Sequence, residues 1–220
     1  MSECRILFSK TGTARYISHL DLMRTMQRVF IRAGLALKHT EGFNPHPCMT
    51  FALPLSVGSG SVCELMDTVL LEDVPLQSVP ALLNAAMPAG IEVLQAYAPS
   101  RKFRELFWLD TRTTLVYDAG VPEGGHEALE ALFARHELII NKKSKRGYGD
   151  VDIAPCIYSA RLERTGENTL TLYARLTAQA PAMNPENLVN AIRQKLPALA
   201  PDFAGHQRLE VYDKLMNIFR

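Results

Sequence analysis

The chain has 220 residues and a formal net charge of +1, which argues against a protein that binds nucleic acid through a globally basic surface. Hydrophobic residues make up 47% of the chain and charged residues 21%, as is usual for globular proteins, so bulk disorder is excluded. The length allows one large domain or two small ones that each bury a core.

The near-neutral total conceals an uneven distribution of charge. Residues 1–58 contain seven Lys or Arg and three Asp or Glu, a net charge of +4. Residues 59–100 contain five acidic residues and no Lys or Arg, a net charge of −5. This asymmetry indicates a local face that attracts anions.

The cysteines and the N-terminus indicate a reduced, cytoplasmic protein. The four cysteines, at positions 4, 48, 63 and 156, form no CxxC or zinc-finger spacing. No residue pattern predicts a metal or a cofactor. The first residues lack the features of a secretory leader, and no apolar run has transmembrane length, so we expect no contact with a membrane.

The clearest predicted element is a helix that begins after Ser18. Ser18 is a favourable N-cap, and Asp21 lies three residues later, as in a capping box. Gly34 is the predicted stop, because glycine readily adopts the left-handed conformation that ends helices.

The other elements of the first half follow a recognisable order. Residues 4–12 predict a strand before the helix, and residues 40–47 are the long connection inside the unit. We interpret the order as βαββαβ, which is the ferredoxin-like arrangement. Strand signals follow at 35–40, 48–55, 62–72 and 91–99, and a second helix is predicted at 76–87.

The second half is predicted to repeat this order. Helices are predicted at 124–136 and 184–196, and residues 144–156 are the corresponding long connection. The predicted fold class is therefore α+β, with two tandem ferredoxin-like (βαββαβ) domains at 1–100 and 108–220, joined by a linker at 101–107. The predicted strands of this half lie at 111–120, 137–143, 157–166, 169–177 and 207–217.

The first helix carries a row of arginines. Arg24, Arg28 and Arg32 are spaced four residues apart and therefore share one face. Lys10 and Arg15 precede the helix and extend the set of cations. The row is either a solvated helix face or a ridge that contacts phosphates, because guanidinium groups match phosphate oxygens.

The segment "GFNPHP" at residues 42–47 is a second candidate. Phe43 offers a ring for stacking, and Asn44 and His46 offer hydrogen-bonding groups. The prolines on both sides of His46 restrict the backbone there. His46 is therefore a general acid or base, an RNA ligand, or a residue that binds the loop to itself.

A third candidate is the basic segment "KKSKRGYG" at residues 142–149. Basic residues next to an aromatic ring and glycines suit contact with single-stranded nucleic acid. The alternative is a solvated loop. The candidate residues are Lys142, Lys143, Lys145, Arg146 and Tyr148.

Two long stretches resemble a known family. They are residues 16–67, which contain "ISHLDLMR" and "GFNPHP", and residues 142–157, "KKSKRGYGDVDIAPCI". They resemble the radical SAM-linked domain of the DUF2344 family. The resemblance implies a domain fused to, or encoded beside, a radical SAM protein, often near genes for a ribonuclease of the E/G type and ribosomal proteins. The chain itself has no CxxxCxxC motif to bind an iron–sulfur cluster.

These observations favour an accessory, non-catalytic protein. The leading hypothesis is a cytoplasmic protein that binds RNA, such as tRNA or rRNA, or presents a substrate to a radical SAM enzyme in RNA modification or processing. One alternative is an RNA-processing or RNA-modifying enzyme with His46 as acid or base. Another is an adaptor that docks on a radical SAM subunit.

Overall fold

A computed structural model describes residues 1–144 and 147–220, and the side chains of Lys143 and Ser144 are not included in that description. The chain forms two compact units. Unit 1 contains residues 1–105 and Arg220, and unit 2 contains residues 106–219. Both units combine helices with antiparallel strands, so the α+β class is as predicted.

Unit 1 is a small sheet with two helices. Its strands pair antiparallel in the order β4-β1-β3-β2. The helix α2 begins at Val79 and could not begin much earlier, because Pro80 is tolerated only in the first turn of a helix. The bounds are β1 Ser2–Lys10, α1 His19–Arg32, β2 Met49–Phe51, β3 Gly60–Leu70, α2 Val79–Asn84 and β4 Ile91–Tyr97.

The core of unit 1 lies between the two helices and one face of the sheet. Alternate residues of β1, Ile6 and Phe8 among them, point into this core because the side chains of a strand alternate between its faces. Met26 and Phe30 of α1 meet them there and are almost fully buried. This burial fixes which face of α1 remains outside.

The predicted bounds of α1 are confirmed. The Ser18 hydroxyl accepts a hydrogen bond of 3.1 Å from the Asp21 backbone N–H, as an N-cap should. At the other end Gly34 has φ +70°. The Gly34 and Leu35 N–H groups donate to the carbonyls of Ile31 and Phe30, which is a Schellman motif.

Two of the predicted strands of unit 1 are shorter than expected. The segment 35–40 forms only isolated bridges, at Leu37 and His39, and β2 has three residues. Leu53 has φ +46° and Pro54 follows without a backbone N–H, so β2 cannot continue as far as residue 55.

Unit 2 is a four-stranded sheet with two helices and a separate hairpin. Its sheet has the order β10-β5-β9-β8, with every pair antiparallel. β6 and β7 pair only with each other among the described residues. The bounds are β5 Trp108–Val116, α3 Gly125–Phe133, β6 Ile139–Ser144, β7 Gly147–Asp152, β8 Ile157–Arg164, β9 Thr169–Thr177, α4 Glu186–Lys195 and β10 Phe203–Tyr212.

The hairpin of β6 and β7 corrects two predictions. The predicted strand 137–143 does not join the main sheet of unit 2, and the predicted connection 144–156 contains β7. All six residues of β7 are exposed, so this strand has no buried face that would give a hydrophobic alternation. The strand at the end of the chain also lies earlier than predicted, at 203–212 rather than 207–217.

In each unit, an arginine and an aspartate at directly opposite strand positions form an ion pair. In unit 1, Arg5 of β1 binds Asp67 of β3 through two hydrogen bonds of 2.7 and 2.8 Å. In unit 2, Arg175 of β9 binds Asp110 of β5 with the same distances. Burial, followed by a hydrogen bond to Asp110, raises the pKa of Tyr212 to about 12, so this phenol stays protonated and donates to Asp110.

Candidate nucleic-acid interface

The predicted row of arginines lies on the exposed face of α1. Arg24, Arg28 and Arg32 are all exposed. Within residues 1–144 and 147–220, neither Arg28 nor Arg32 has a hydrogen-bond or ion-pair partner. Two guanidinium groups, one helical turn apart, therefore face solvent with their donors available.

Arg24 differs from the other two arginines because it has a neighbouring carboxylate. Its Nη1 lies 3.3 Å from Oδ1 of Asp21, three residues earlier. The hydrogen bond from the Ser18 hydroxyl, and then the bond from Arg24, lower the pKa of Asp21, so this carboxylate is charged at neutral pH. This pair was not predicted from the sequence.

Two apolar side chains interrupt the exposed face of α1. Leu20 is 60% exposed and Ile31 is 77% exposed. They lie four residues before Arg24 and three residues after Arg28, so they share the side of the helix that carries the arginines. The exposure of both side chains could have been predicted from the helical spacing, because neither residue lies on the face of α1 that carries the buried Met26 and Phe30. The exposed face of α1 therefore carries both basic and apolar side chains.

Of the two cations before the helix, Lys10 does not extend the row as predicted. Lys10 is only 2% exposed, because it is at the end of β1 with its side chain turned into the protein. A buried ammonium group is not available to an RNA phosphate, so Lys10 is removed from the predicted contacts. Arg15 is half-buried, and its guanidinium carbon lies 5.0 Å from the centre of the Tyr16 ring.

The "GFNPHP" segment forms the end of a hairpin on the edge of unit 1. Residues 36–38 and 49–51 pair with successive parts of β3, so the chain between them leaves the sheet edge and returns. The Cys48 N–H donates to the Lys38 carbonyl at 2.8 Å, and the Thr40 N–H donates to the His46 carbonyl at 2.9 Å. These bonds close the loop that carries residues 41–46.

His46 holds this loop in shape. Its backbone N–H donates to the Thr40 hydroxyl at 3.2 Å, and its Nδ1 lies 3.1 Å from the same oxygen. Nδ1 also lies 3.3 Å from the Asn44 carbonyl oxygen. These contacts agree with the interpretation that His46 binds the loop to itself.

Phe43 is the most exposed large apolar side chain of the loop. Its relative exposure is 112%, so the ring stands free of the surface. Asn44 is also exposed. A fully exposed ring on a hydrogen-bonded loop is available for stacking.

The basic segment of unit 2 lies on the hairpin of β6 and β7. Lys142 and Lys143 are opposite Gly149 and Tyr148, and the Tyr148 ring is 75% exposed. The predicted contacts Lys145 and Arg146 lie outside the described residues, and so does the side chain of Lys143.

The aspartates that follow this segment have structural partners. Asp150 accepts from the Asn141 side chain at 2.8 Å. Asp152 accepts from the backbone N–H groups of Leu138 and Ala154 at 2.8 and 3.0 Å. In the part of the chain that the structure describes, no three His, Cys, Asp or Glu side chains are grouped to hold a metal ion. No helix in the same part is long and apolar enough to cross a membrane.

Comparison with known proteins gives a family and a distant fold similarity. The family model described as "Uncharacterized protein conserved in bacteria (DUF2344)" matches residues 3–190. No curated protein matches the sequence. A chain of the "Crystal Structure of a Cbf5-Nop10-Gar1 Complex" is similar, with 10% identity and a TM-score of 0.52. The match covers 94% of this chain and 48% of that chain, so this chain spans about half of that chain's length, and the similarity concerns the fold alone.

A second solved structure is similar over most of both chains but at a low score. It is the "Crystal Structure of an Unknown Protein from Galdieria sulphuraria", with 9% identity and a TM-score of 0.28. The match covers 94% of this chain and 96% of that one. A score this low gives no support for a common fold.

Proposed function

Because this chain belongs to the DUF2344 family, we propose that it is an accessory protein that binds RNA and presents it to a radical SAM enzyme. The proposed RNA contact is supported by two exposed guanidinium groups on α1, those of Arg28 and Arg32. Neither group has a partner among the described residues. Arginines that neutralise phosphates release counterions, and this release drives non-specific binding of nucleic acid.

A single-stranded RNA suits the surface of unit 1 better than a duplex. Arg28 and Arg32 provide charge, and Phe43 provides a ring for an unstacked base. Binding of single strands typically combines a cationic track with aromatic side chains on which bases stack. In unit 2, Lys142 and Tyr148 offer the same combination.

The radical SAM partner in this proposal is supported by the sequence resemblance. The apolar residues Leu20 and Ile31 beside the arginines also suit contact with a protein. If α1 docks on an acidic patch of the partner, then the two proteins should co-purify after nuclease treatment. If RNA bridges them, then nuclease should separate them.

We also propose that each unit is a ferredoxin-like βαββαβ domain. In unit 1 the strands that flank α1 and α2 have the order β4-β1-β3-β2. In unit 2 the order β10-β5-β9-β8 is the equivalent one, with the hairpin of β6 and β7 as an insertion after α3. This equivalence supports a duplicated arrangement, although the fold does not decide the function.

We predict that Arg28→Glu/Arg32→Glu weakens the binding of single-stranded RNA by about 100-fold at low salt, because each lost charged contact is worth about tenfold. The slope of the logarithm of affinity against the logarithm of salt concentration should become shallower by about 1.4, or about 0.7 for each phosphate. Fluorescence anisotropy with a labelled RNA across a salt series measures both quantities.

A matched control is available in unit 2. Arg164 and Lys195 are exposed, and Arg164→Glu/Lys195→Glu changes the net charge by the same amount. The control should keep the slope of the wild-type protein. An unchanged slope in the α1 variant, or an equal loss in the control, would contradict the proposed contact.

We predict that Phe43→Ala weakens RNA binding by about 1–3 kcal/mol, the usual value for stacking of one base. The salt slope should stay the same, because no charge is lost. The melting temperature should also stay the same, because the ring is fully exposed. Phe43→Trp should retain the affinity, and an unaltered affinity in Phe43→Ala would show that the ring is not a contact.

A further inference from the structure

Unit 1 contains a cleft that lies apart from the arginines of α1. Its volume is about 510 Å³, which is within the usual range for small-molecule sites. Strand β3 and the segment 99–103 form much of the lining, and the half-buried Cys48 lies in it. The lining includes Cys48, Asp67, Arg101 and Lys102.

Asp67 provides a rigid acceptor in this cleft. Its carboxylate is held by Arg5, which is fully buried, and 30% of the Asp67 side chain remains exposed. The Arg5 Nη2 group also donates to the Arg101 backbone carbonyl at 2.7 Å. The same arginine lies 4.3 Å from the centre of the Phe103 ring. These contacts place a carboxylate and a carbonyl close together, and neither can easily move away.

The segment 101–102 provides positive charge at the same cleft. Lys102 is exposed, and its backbone N–H donates to Glu105 at 2.9 Å. Over residues 1–144 and 147–220, its ammonium group has no carboxylate within ion-pair distance. The Arg101 guanidinium is half-buried and lies 3.4 Å from Glu105. The cleft therefore combines fixed acceptors with an available cation.

We propose that this cleft binds a ribonucleoside 5′-phosphate, with the ribose hydroxyls donating to Asp67 and the phosphate at Lys102. A carboxylate is a suitable acceptor for ribose hydroxyls, and the 2′-hydroxyl is the group that distinguishes RNA from DNA. The ligand is a free nucleotide or one unstacked nucleotide of an RNA chain. This site is independent of the RNA contact through α1.

Cys48 allows a direct test in the wild-type protein. Cys4, Cys63 and Cys156 are buried, and burial raises the pKa of Cys4 to about 11, so alkylation at neutral pH should select Cys48. At a concentration of AMP or UMP about ten times the dissociation constant, alkylation of Cys48 should slow by about tenfold. Mass spectrometry of the Cys48 peptide gives the rate.

A comparison of several nucleotides shows which chemical groups the cleft recognises. The deoxynucleotides dAMP and dUMP should bind about tenfold more weakly than AMP and UMP, because they lack the 2′-hydroxyl that donates to a charged acceptor. Inorganic phosphate alone should give no protection at the same concentration. A short single-stranded RNA that protects Cys48 when AMP does not would identify an RNA chain as the source of the nucleotide.

Lys102→Ala tests the phosphate contact with a matched control. We predict that this variant binds AMP about tenfold more weakly but binds adenosine with unchanged affinity. Arg104→Ala removes an exposed cation two residues away that does not line the cleft, and it should bind AMP normally. Both substitutions are at exposed positions and should leave the fold intact.

Three results would overturn the proposal. They are unchanged alkylation of Cys48 with every nucleotide and with RNA, equal protection by AMP and dAMP, and equal AMP affinity in Lys102→Ala and wild type. Because Arg28 and Arg32 do not line the cleft, Arg28→Glu/Arg32→Glu should still bind AMP. A negative result for nucleotide binding in the cleft can thus be distinguished from a negative result for RNA binding at α1.

Discussion

Asp67→Ala is expected to lower the free energy of unfolding by about 3 kcal/mol or more, which is the usual cost of removing one partner of a buried ion pair. Arg5 is fully buried, and its two hydrogen bonds to Asp67 are 2.7 and 2.8 Å long. Without the carboxylate, this buried guanidinium loses both hydrogen bonds to Asp67. Urea denaturation followed by circular dichroism measures the loss.

The double variant Arg5→Met/Asp67→Val separates the charge effect from packing. Apolar side chains that replace both partners of a buried pair often restore stability. The double variant should therefore be more stable than Asp67→Ala, although it removes more groups. If Asp67→Ala instead unfolds at the wild-type urea concentration, the pair does not stabilise unit 1.

Gly90→Ala is expected to lower the free energy of unfolding by about 3 kcal/mol. This value is the sum of left-handed backbone strain and overpacking. Gly90 has φ +87°, and a Cβ atom there would lie 2.7 Å from the Thr11 carbonyl oxygen and 2.9 Å from the Ala14 Cβ. The Thr11 N–H also donates to the Gly90 carbonyl at 2.7 Å, so the two segments cannot separate without losing this bond. Thermal and urea denaturation both report the change.

Gly34→Ala provides the comparison for Gly90. Gly34 has φ +70°, but a Cβ atom there would meet nothing within 4 Å. The substitution should therefore lower the free energy of unfolding only by the backbone strain, which is about 1 kcal/mol. Equal losses in the two variants would show that the contact with Thr11 and Ala14 has no effect.

Local signals were sufficient where neighbours in sequence determine the structure. The bounds of α1 depend on Ser18, Asp21 and Gly34, whose capping contacts are made within a few residues. The closed shape of the "GFNPHP" loop also depends on a short-range contact, between Thr40 and His46. These features could be predicted because the interacting groups are close in the chain.

Longer-range contacts explain the errors. Lys10 follows an alternating strand pattern, but nothing in the sequence near it shows that its side chain is buried. The segment 137–143 has strand character, but its partner is β7 rather than a strand of the main sheet of unit 2. Pairing between strands depends on packing across the sheet, which propensity does not report.

The amino-acid sequence by itself determined the α+β class, the position of α1 and its exposed arginines, and membership of a family. Only the tertiary structure decided which cations remain accessible and that Asp67, held by Arg5 from 62 residues away, lines a cleft with the segment 99–103. Periodicity and capping act over a few residues, whereas burial and the assembly of a cleft depend on segments brought together by folding.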